Sequence, residues 1–345
     1  MRIARWEHLG VLGEGFVVDA HVERFPDELT VLDVLRMGLA ELPGIADAAA
    51  AAAAADSEPA RRTPLADVRL LPPIVPPSVR DFVAFEEHVE GVVRSVSGGQ
   101  GVDAEWYEFP TFYFTNPHSV IATGATVHPP VTERLDFELE VAAVIGGVEG
   151  SDGSNLDPVE AGDHIFGYTI FNDWSARDLQ AREMKVRLGP CKGKDFATTL
   201  GPWIVTADEF AGRHDADGFL QVGMEVLVNG DRIGIDLLSN MGWPFAELVA
   251  YASRNSRVVP GDVLGSGTAG NGGCLGELWG RAGTLVPAPL VEGDQVVMRV
   301  EGIGEIRNVV GAAIAAPRIG PARTRSRARP GAPVDPSYVS PAAAH

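Results

Sequence analysis

The sequence predicts a strand-rich α+β fold, with mixed β-sheets rolled into a sandwich behind a small N-terminal α+β module. Three observations carry this expectation. The 345 residues include 40 glycines and 25 prolines, a density of turn-formers that suits short strands and not a helical bundle. From residue 65 to 316, short β-like runs alternate with those turns without a break in composition, which reads as one large domain. Hydrophobic residues make up 45% and charged residues 22%, enough to bury a full-sized core. The patterns fit antiparallel and mixed pairing better than a doubly wound parallel sheet.

Residues 1–45 read as the leading module. MRIARWEHLG and VLGEGFVVDA form two short strands around a Gly-containing turn, and Leu32, Leu35, Leu39 and Leu42 then fall at helical spacing. Residues 46–64, rich in alanine, read as a surface joint, either a loop or a frayed helix. The prolines at 72–77 exclude a central strand and imply an extended lead into the main domain. The tail, 317–345, carries Arg318, Arg323, Arg325, Arg327 and Arg329 against Asp335 with almost no apolar anchors, so disorder is expected there.

A net charge of −19, from 47 acidic and 28 basic side chains, argues against a nucleic-acid footprint or an anionic membrane surface. It leaves room for a small anionic substrate. Cys191 and Cys274 cannot make a disulfide scaffold or a four-thiolate zinc site, and they suit a reducing cytosol. The N-terminus lacks the apolar stretch of a signal peptide, and no 18-residue apolar run follows. A cytoplasmic location is the expectation.

Three segments carry chemistry. In RLDFELEVAAVIG, 134–146, Asp136, Glu138 and Glu140 alternate with apolar residues and share one strand face. Stacked carboxylates repel unless a cation lies among them, and Mg²⁺ takes oxygen ligands; a solvated acidic face is the other reading. In HIFGYTIFNDWSARDLQ, 164–180, an apolar run ends at Asp173, which could cap the following helix or ligate a metal. Arg177 and Gln180 would share one face of that helix. In VRDFVAFEEHVEGVV, 79–93, His88 stands seven residues after Asp81, either packed at a helix edge or catalytic.

Together with LGPCKGKDFATTLGPWIV (188–205) and PGDVLGSGTAGNGGCLGELWG (260–280), these segments resemble the fumarylacetoacetate hydrolase family from about residue 78 to 312. The N-D-W-S-A-R-D-x-Q string and the D-x-E-x-E strand are its specific marks. The resemblance implies metal ligation by Glu138, Glu140 and Asp173, with Asp81 as a fourth ligand, and Mg²⁺ or Mn²⁺ as cofactor. It implies a His88–Glu277 dyad, a carbanion- and oxyanion-stabilising group of Arg177, Gln180 and Lys194, and Thr198 beside the metal. Tyr113 and Thr268 fall at substrate-binding positions, and a homodimer is the family's usual assembly.

The implied reaction is hydrolysis of a carbon–carbon bond in a 1,3-dicarbonyl, a 3-oxo acid or acylpyruvate. Water activated by His88 would attack a metal-polarised carbonyl. Alternatives on the same site are a lyase or isomerase (decarboxylase, hydratase or 2-oxo acid tautomerase) and, more remotely, a metal-holding protein without activity. The family's tyrosine two residues after the first aspartate is Val83 here, and its arginine for the substrate's far carboxylate is Ser97. Fumarylacetoacetate itself is therefore not the expected substrate. GSGTAG, 265–270, fits a dinucleotide fingerprint but lies late in a β-rich chain without a βαβ context, and Cys191 has no readable partner.

Overall fold

Period-two alternation is the rule that builds this chain, and it is clearest in the central strand Leu139–Ile145 of the computed structural model. Val141, Ala143 and Ile145 face one apolar cluster, while Ala142 and Val144 face another. A strand buried on both faces must lie mid-sheet, and this one does. The structure describes residues 1–55, 62–97 and 101–323. Met1–Ile314 form one unit; residues 315–323, the described part of the second, carry no helix or strand. The tail beyond 323, with Arg325, Arg327 and Arg329, lies outside the described residues.

The large sheet runs, in spatial order, through Arg62–Pro64, His21–Arg24, Val11–Val18, Arg2–His8, Thr198–Thr206, Ile165–Asp173, Leu139–Ile145, Val263–Gly265, Val79–Phe82 and Phe112–Thr115. Its path is open, so the sheet is not a closed barrel. Most pairs are antiparallel, but Val263–Gly265 pairs Val79–Phe82 in parallel, which makes the sheet mixed. A second sheet of Asp231–Leu237, Gly223–Val228, Gln295–Val300, Gly304–Val310 and Thr126–Val127 lies across from it. Met224, Val226, Met298 and Ile306 of that sheet pack against Val141, Tyr168, Ile170 and Val205 of the first. This is the expected strand-rich α+β sandwich.

The leading segment contributes strands directly to the large sheet, because Arg2 and Ile3 pair with Val205 and Ile204. Its helical stretch is two helices. Val31–Met37 opens with a capping box between Thr30 and Asp33 and stops at Gly38, whose φ of 88° leaves the helical region. The alanine-rich stretch is the second helix, Leu42–Ala55, and not a loop. Leu42, Ile45 and Ala49 recur on one face and are buried under the sheet, which holds the alanines in register. As expected, 72–77 form no strand. Among the described residues, no helix is long and apolar enough to cross a membrane.

One face of the large sheet changes character along its strands. Under the two N-terminal helices it presents Val79, Ala142, Val144, Phe171, Leu200 and Ile204. Two residues further along each strand the same face presents Asp81, Glu140, Asp173 and Thr198. Alternation dictates this pairing of apolar and polar ends, and the sheet gathers residues from four distant stretches into one place.

Candidate active site

Asp81, Glu138, Glu140, Asp173 and Asp136 are all buried, at 0–3% exposure. Oxygens of Asp81, Glu138 and Asp173 lie within 4.8 Å of one another. Register explains the gathering. Asp173 is paired with Thr198, Asp81 is paired with Tyr113 and Gly265, and Glu140 with Phe171. Gly265 matters for space: a Cβ there would stand 2.7 Å from Asp81 Oδ1 and 3.0 Å from Glu140 Oε2. Only a residue without a side chain lets both carboxylates lie over the strand.

Two cations answer five carboxylates. Lys194 Nζ donates to Asp173 Oδ2 at 2.5 Å and to Glu138 Oε2, and stands 5.7 Å over the Tyr113 ring. Tyr113 itself donates its hydroxyl to Asp173. Arg177 donates Nε to Asp136 Oδ2 at 2.8 Å and Nη1 to Gln180 Oε1 at 3.1 Å. Its Nη2 lies 2.8 Å from Glu138 Oε1 but meets no acceptor in good alignment. Glu140 accepts from the Gly267 N–H at 3.0 Å and from Thr268 Oγ1 at 3.4 Å.

The electrostatics follow from this imbalance. Burial pushes Asp81 well above the usual carboxylate range, and the neighbouring Asp173 adds to the rise. Burial and then Asp81 do the same to Glu140. Burial also raises Glu138, but Lys194 and Arg177 outweigh it and hold that group ionised, below its ordinary value. Among the described residues, Asp81 Oδ1 and Asp173 Oδ1 are buried and meet no hydrogen-bond donor, and Thr198 Oγ1 beside them is also unpartnered. Excess buried negative charge, three convergent carboxylates and two orphaned oxygens are the donor set that a hard divalent cation requires. These residues fit such an ion.

His88, on the helix Glu86–Ser97, is 6% exposed and points Nε2 at Glu138 Oε1, 3.9 Å away. Burial holds its pKa down at about 3 against the pull of Glu138, with Arg177 and Lys194 lowering it further, so the imidazole is neutral. Together with Asp81, Tyr113, Glu138, Glu140, Arg177, Gln180, Lys194 and Thr268 it lines a cavity of about 300 Å³.

Three arrangements differ from the sequence reading. Asp173 is not a helix cap: it ends the strand Ile165–Asp173, and the helix Arg177–Glu183 starts from Ala176 without a side-chain cap. Its carboxylate is thereby free for the site. Asp136 does not join Glu138 and Glu140 on one face, because the strand breaks between Leu135–Asp136 and Leu139–Ile145. Asp136 instead accepts from Leu275 N at 2.7 Å, Gly276 N at 2.9 Å and Arg177, tying a helix N-terminus to the site's guanidinium. Glu277 does not hydrogen-bond His88. Its Oε2 accepts from Gly272 N at 3.3 Å and its Oε1 lies 2.7 Å from Arg281, while Cys274 Sγ takes the place beside His88 Nδ1, at 3.6 Å. Sequence reasoning named Asp136 only as one of three carboxylates on a shared face, and it assigned Cys274 no role in the site. Asp136 was visible in the D-x-E-x-E pattern; nothing in the pattern marked Cys274.

The family described as fumarylacetoacetate (FAA) hydrolase, C-terminal, matches residues 78–311. A fumarylacetoacetase of Arabidopsis thaliana is 31% identical over 260 residues, 62% of this chain and 61% of the relative, so the match spans under two thirds of that protein. The oxaloacetate tautomerase YisK of Bacillus subtilis is 29% identical over 249 residues, 72% of this chain and 74% of the relative. In fold, the chain is similar to maleylpyruvate hydrolase from Sphingobium sp. SYK-6, a structure solved with manganese(II) ion and pyruvate. That likeness has a TM-score of 0.61 at 21% identity, over 91% of this chain and 100% of the other. A family match that runs through more than half the chain, across every strand that builds the carboxylate cluster, settles its kinship: the chain belongs to the fumarylacetoacetate hydrolase family, whose hydrolases cleave carbon–carbon bonds.

Proposed function

We propose that this chain is a divalent-metal-dependent hydrolase that cleaves a carbon–carbon bond in a 1,3-dicarbonyl substrate, a 3-oxo acid or acylpyruvate. One observation carries the reading: a buried, neutral His88 aims Nε2 into a carboxylate cluster that has more negative than positive charge. Asp81, Glu138 and Asp173, with Glu140 beside Asp81, would hold one Mg²⁺ or Mn²⁺, which when bound polarises the substrate's carbonyl oxygens. His88 takes a proton from water at Nε2 as the water oxygen adds to the distal carbonyl carbon. The bond to the central carbon then breaks, its electron pair stays on the enolate that leaves, and a proton on that carbon completes substrate plus water. Arg177, Gln180 and Lys194 set fixed donors where charge develops, each worth about 3 kcal/mol at such a position.

Beyond its polar floor the cavity is walled by Phe82, Val83, Val92, Phe112, Met184 and Pro190. Among the described residues that line it, no cation other than Arg177 and Lys194 is present, and both of these face the carboxylates. This supports an acyl end without a second carboxylate and speaks against fumarylacetoacetate. A second reading, a 2-oxo acid tautomerase, draws support from the Bacillus relative and from the thiol that, among the described residues, stands beside His88 Nδ1 where a carboxylate would orient a base. Incubation with Mg²⁺ or Mn²⁺ and a panel of acylpyruvates and oxaloacetate separates them. Pyruvate plus the matching carboxylic acid supports hydrolysis, enol–keto interconversion without cleavage supports the tautomerase, and CO₂ marks a decarboxylase. No turnover across the panel removes all three. We also propose a homodimer, which light scattering at a single-chain mass would remove.

A further inference from the structure

We infer that a second cavity, on the far side of the strand pair that carries Asp81 and Tyr113, binds a small aromatic anion of the aryl carboxylate class. The inference is independent of the reaction assigned to the catalytic cavity. Val79–Phe82 and Phe112–Thr115 run antiparallel, with Asp81 opposite Tyr113 and Arg80 opposite Phe114. Alternation sends Asp81 and Tyr113 into the catalytic cavity and turns Arg80 and Phe114 to the other face. There they line a cavity of about 530 Å³, completed by Tyr251, Arg254, Asn255 and Ser256 at the end of the helix Phe245–Ser253.

Charge sets this cavity apart. The chain carries 47 acidic side chains and a net charge of −19, yet among the described residues that line the cavity there is no carboxylate, and two are arginines. Arg80 is held by the fold: its Nη1 donates to Asp262 Oδ2 at 3.0 Å and its Nη2 to the Arg257 carbonyl at 3.3 Å, which fixes the guanidinium plane. Arg254 is different. It is exposed, and among the described residues it makes no ion pair; its guanidinium stands 5.5 Å over the Tyr251 ring. A guanidinium whose N–H groups are open presents a planar fork that fits a carboxylate. Asn255 and Ser256 add an amide and a hydroxyl to the same wall.

The rings decide what the anion is attached to. Phe114 is 67% exposed, an unusual position for a large apolar side chain in a strand. The Arg80 guanidinium lies 5.5 Å from its ring centroid and 5.8 Å from that of Phe112, and Phe112 meets both Phe114 and Tyr251 edge to face. A benzene-sized ring laid between Phe114 and Tyr251 covers apolar surface that otherwise faces water, with its acid group on Arg254. An inorganic anion would use the arginine and leave the rings wet. Thr111 and Phe112 line both cavities, so the two sites share a wall.

Calorimetric titration of the full-length protein with benzoate tests this, with acetate and benzylamine as companions. Benzoate should saturate one site per chain. Acetate should bind about tenfold more weakly or worse for want of a ring, and benzylamine, a cation, should not bind. Arg254→Ala should weaken benzoate on the order of tenfold to a hundredfold, and Phe114→Ala about tenfold. Both side chains are exposed, so both variants should keep the wild-type melting temperature. The affinity should be the same with and without Mn²⁺. No saturation in the wild type overturns the inference, as does an affinity untouched by Arg254→Ala or acetate binding as tightly as benzoate. Binding that appears only with Mn²⁺ would place benzoate in the catalytic cavity and overturn it too. No turnover is measured, so an enzyme that fails every hydrolase assay leaves a positive result standing.

Discussion

Replacing Glu277 with Gln is expected to stabilise the protein at alkaline pH and to change little in acid. Burial raises the Glu277 carboxyl from its ordinary 4.5 to about 7, against the pull of Arg281 and the Gly272 N–H. Arg281 is 41% exposed, so water screens its charge, whereas the Glu277 side chain is fully covered. The folded chain therefore keeps the proton to a higher pH than the unfolded chain does. Stability is full below about pH 4.5 and is lost as pH rises toward 7, where the buried group must ionise. A rise of that size corresponds to about 3 kcal/mol. Gln is neutral throughout, so the difference between variant and wild type should be near zero at pH 4.5 and grow to about 3 kcal/mol by pH 8. Urea unfolding followed by tryptophan fluorescence at pH 4.5, 6, 7 and 8 measures it. A variant less stable than wild type at pH 8 would refute the reasoning, because it would mean that the ion pair with Arg281 outweighs burial.

Three further outcomes are expected. Asp136→Asn should destabilise by about 3–5 kcal/mol in denaturant titration, since it removes one of the two buried carboxylates beside Arg177 and sets an amide donor against N–H donors of the helix end; a loss under 1 kcal/mol would contradict it. Gly265→Ala should weaken Mn²⁺ binding measured by calorimetry, on the order of tenfold or more, because its Cβ would meet Asp81 and Glu140 at 2.7 and 3.0 Å. Unchanged affinity would show that those two carboxylates do not share in holding the ion. His88→Ala should lower kcat about 10²–10⁴-fold with metal affinity nearly unchanged, while retention of most activity would favour a reaction that needs no activated water.

Much of this molecule was legible along the chain. Alternation marked Leu139–Ile145 as a strand and an apolar run marked Ile165–Asp173, Gly and Pro marked the turns, and the acids, His88 and Arg177 stood out by type and spacing, while a family resemblance added Lys194 and assigned the roles. Such features are local, because side-chain periodicity and turn chemistry are set by the nearest few residues. Other features depended on partners far away in sequence. The alanine stretch is helical because Leu42, Ile45 and Ala49 find a sheet to cover. Asp136 leaves the acidic face because a strand break turns it toward Leu275 and Gly276. Cys274, and not Glu277, meets His88 across 186 residues because a helix end capped by sulfur seats it there. Residue type and local pattern settle which groups can do chemistry. The tertiary structure alone decided which of them touch, because hydrogen bonds and ion pairs act over a few ångströms, and those distances are set by register and packing between segments that the chain keeps far apart.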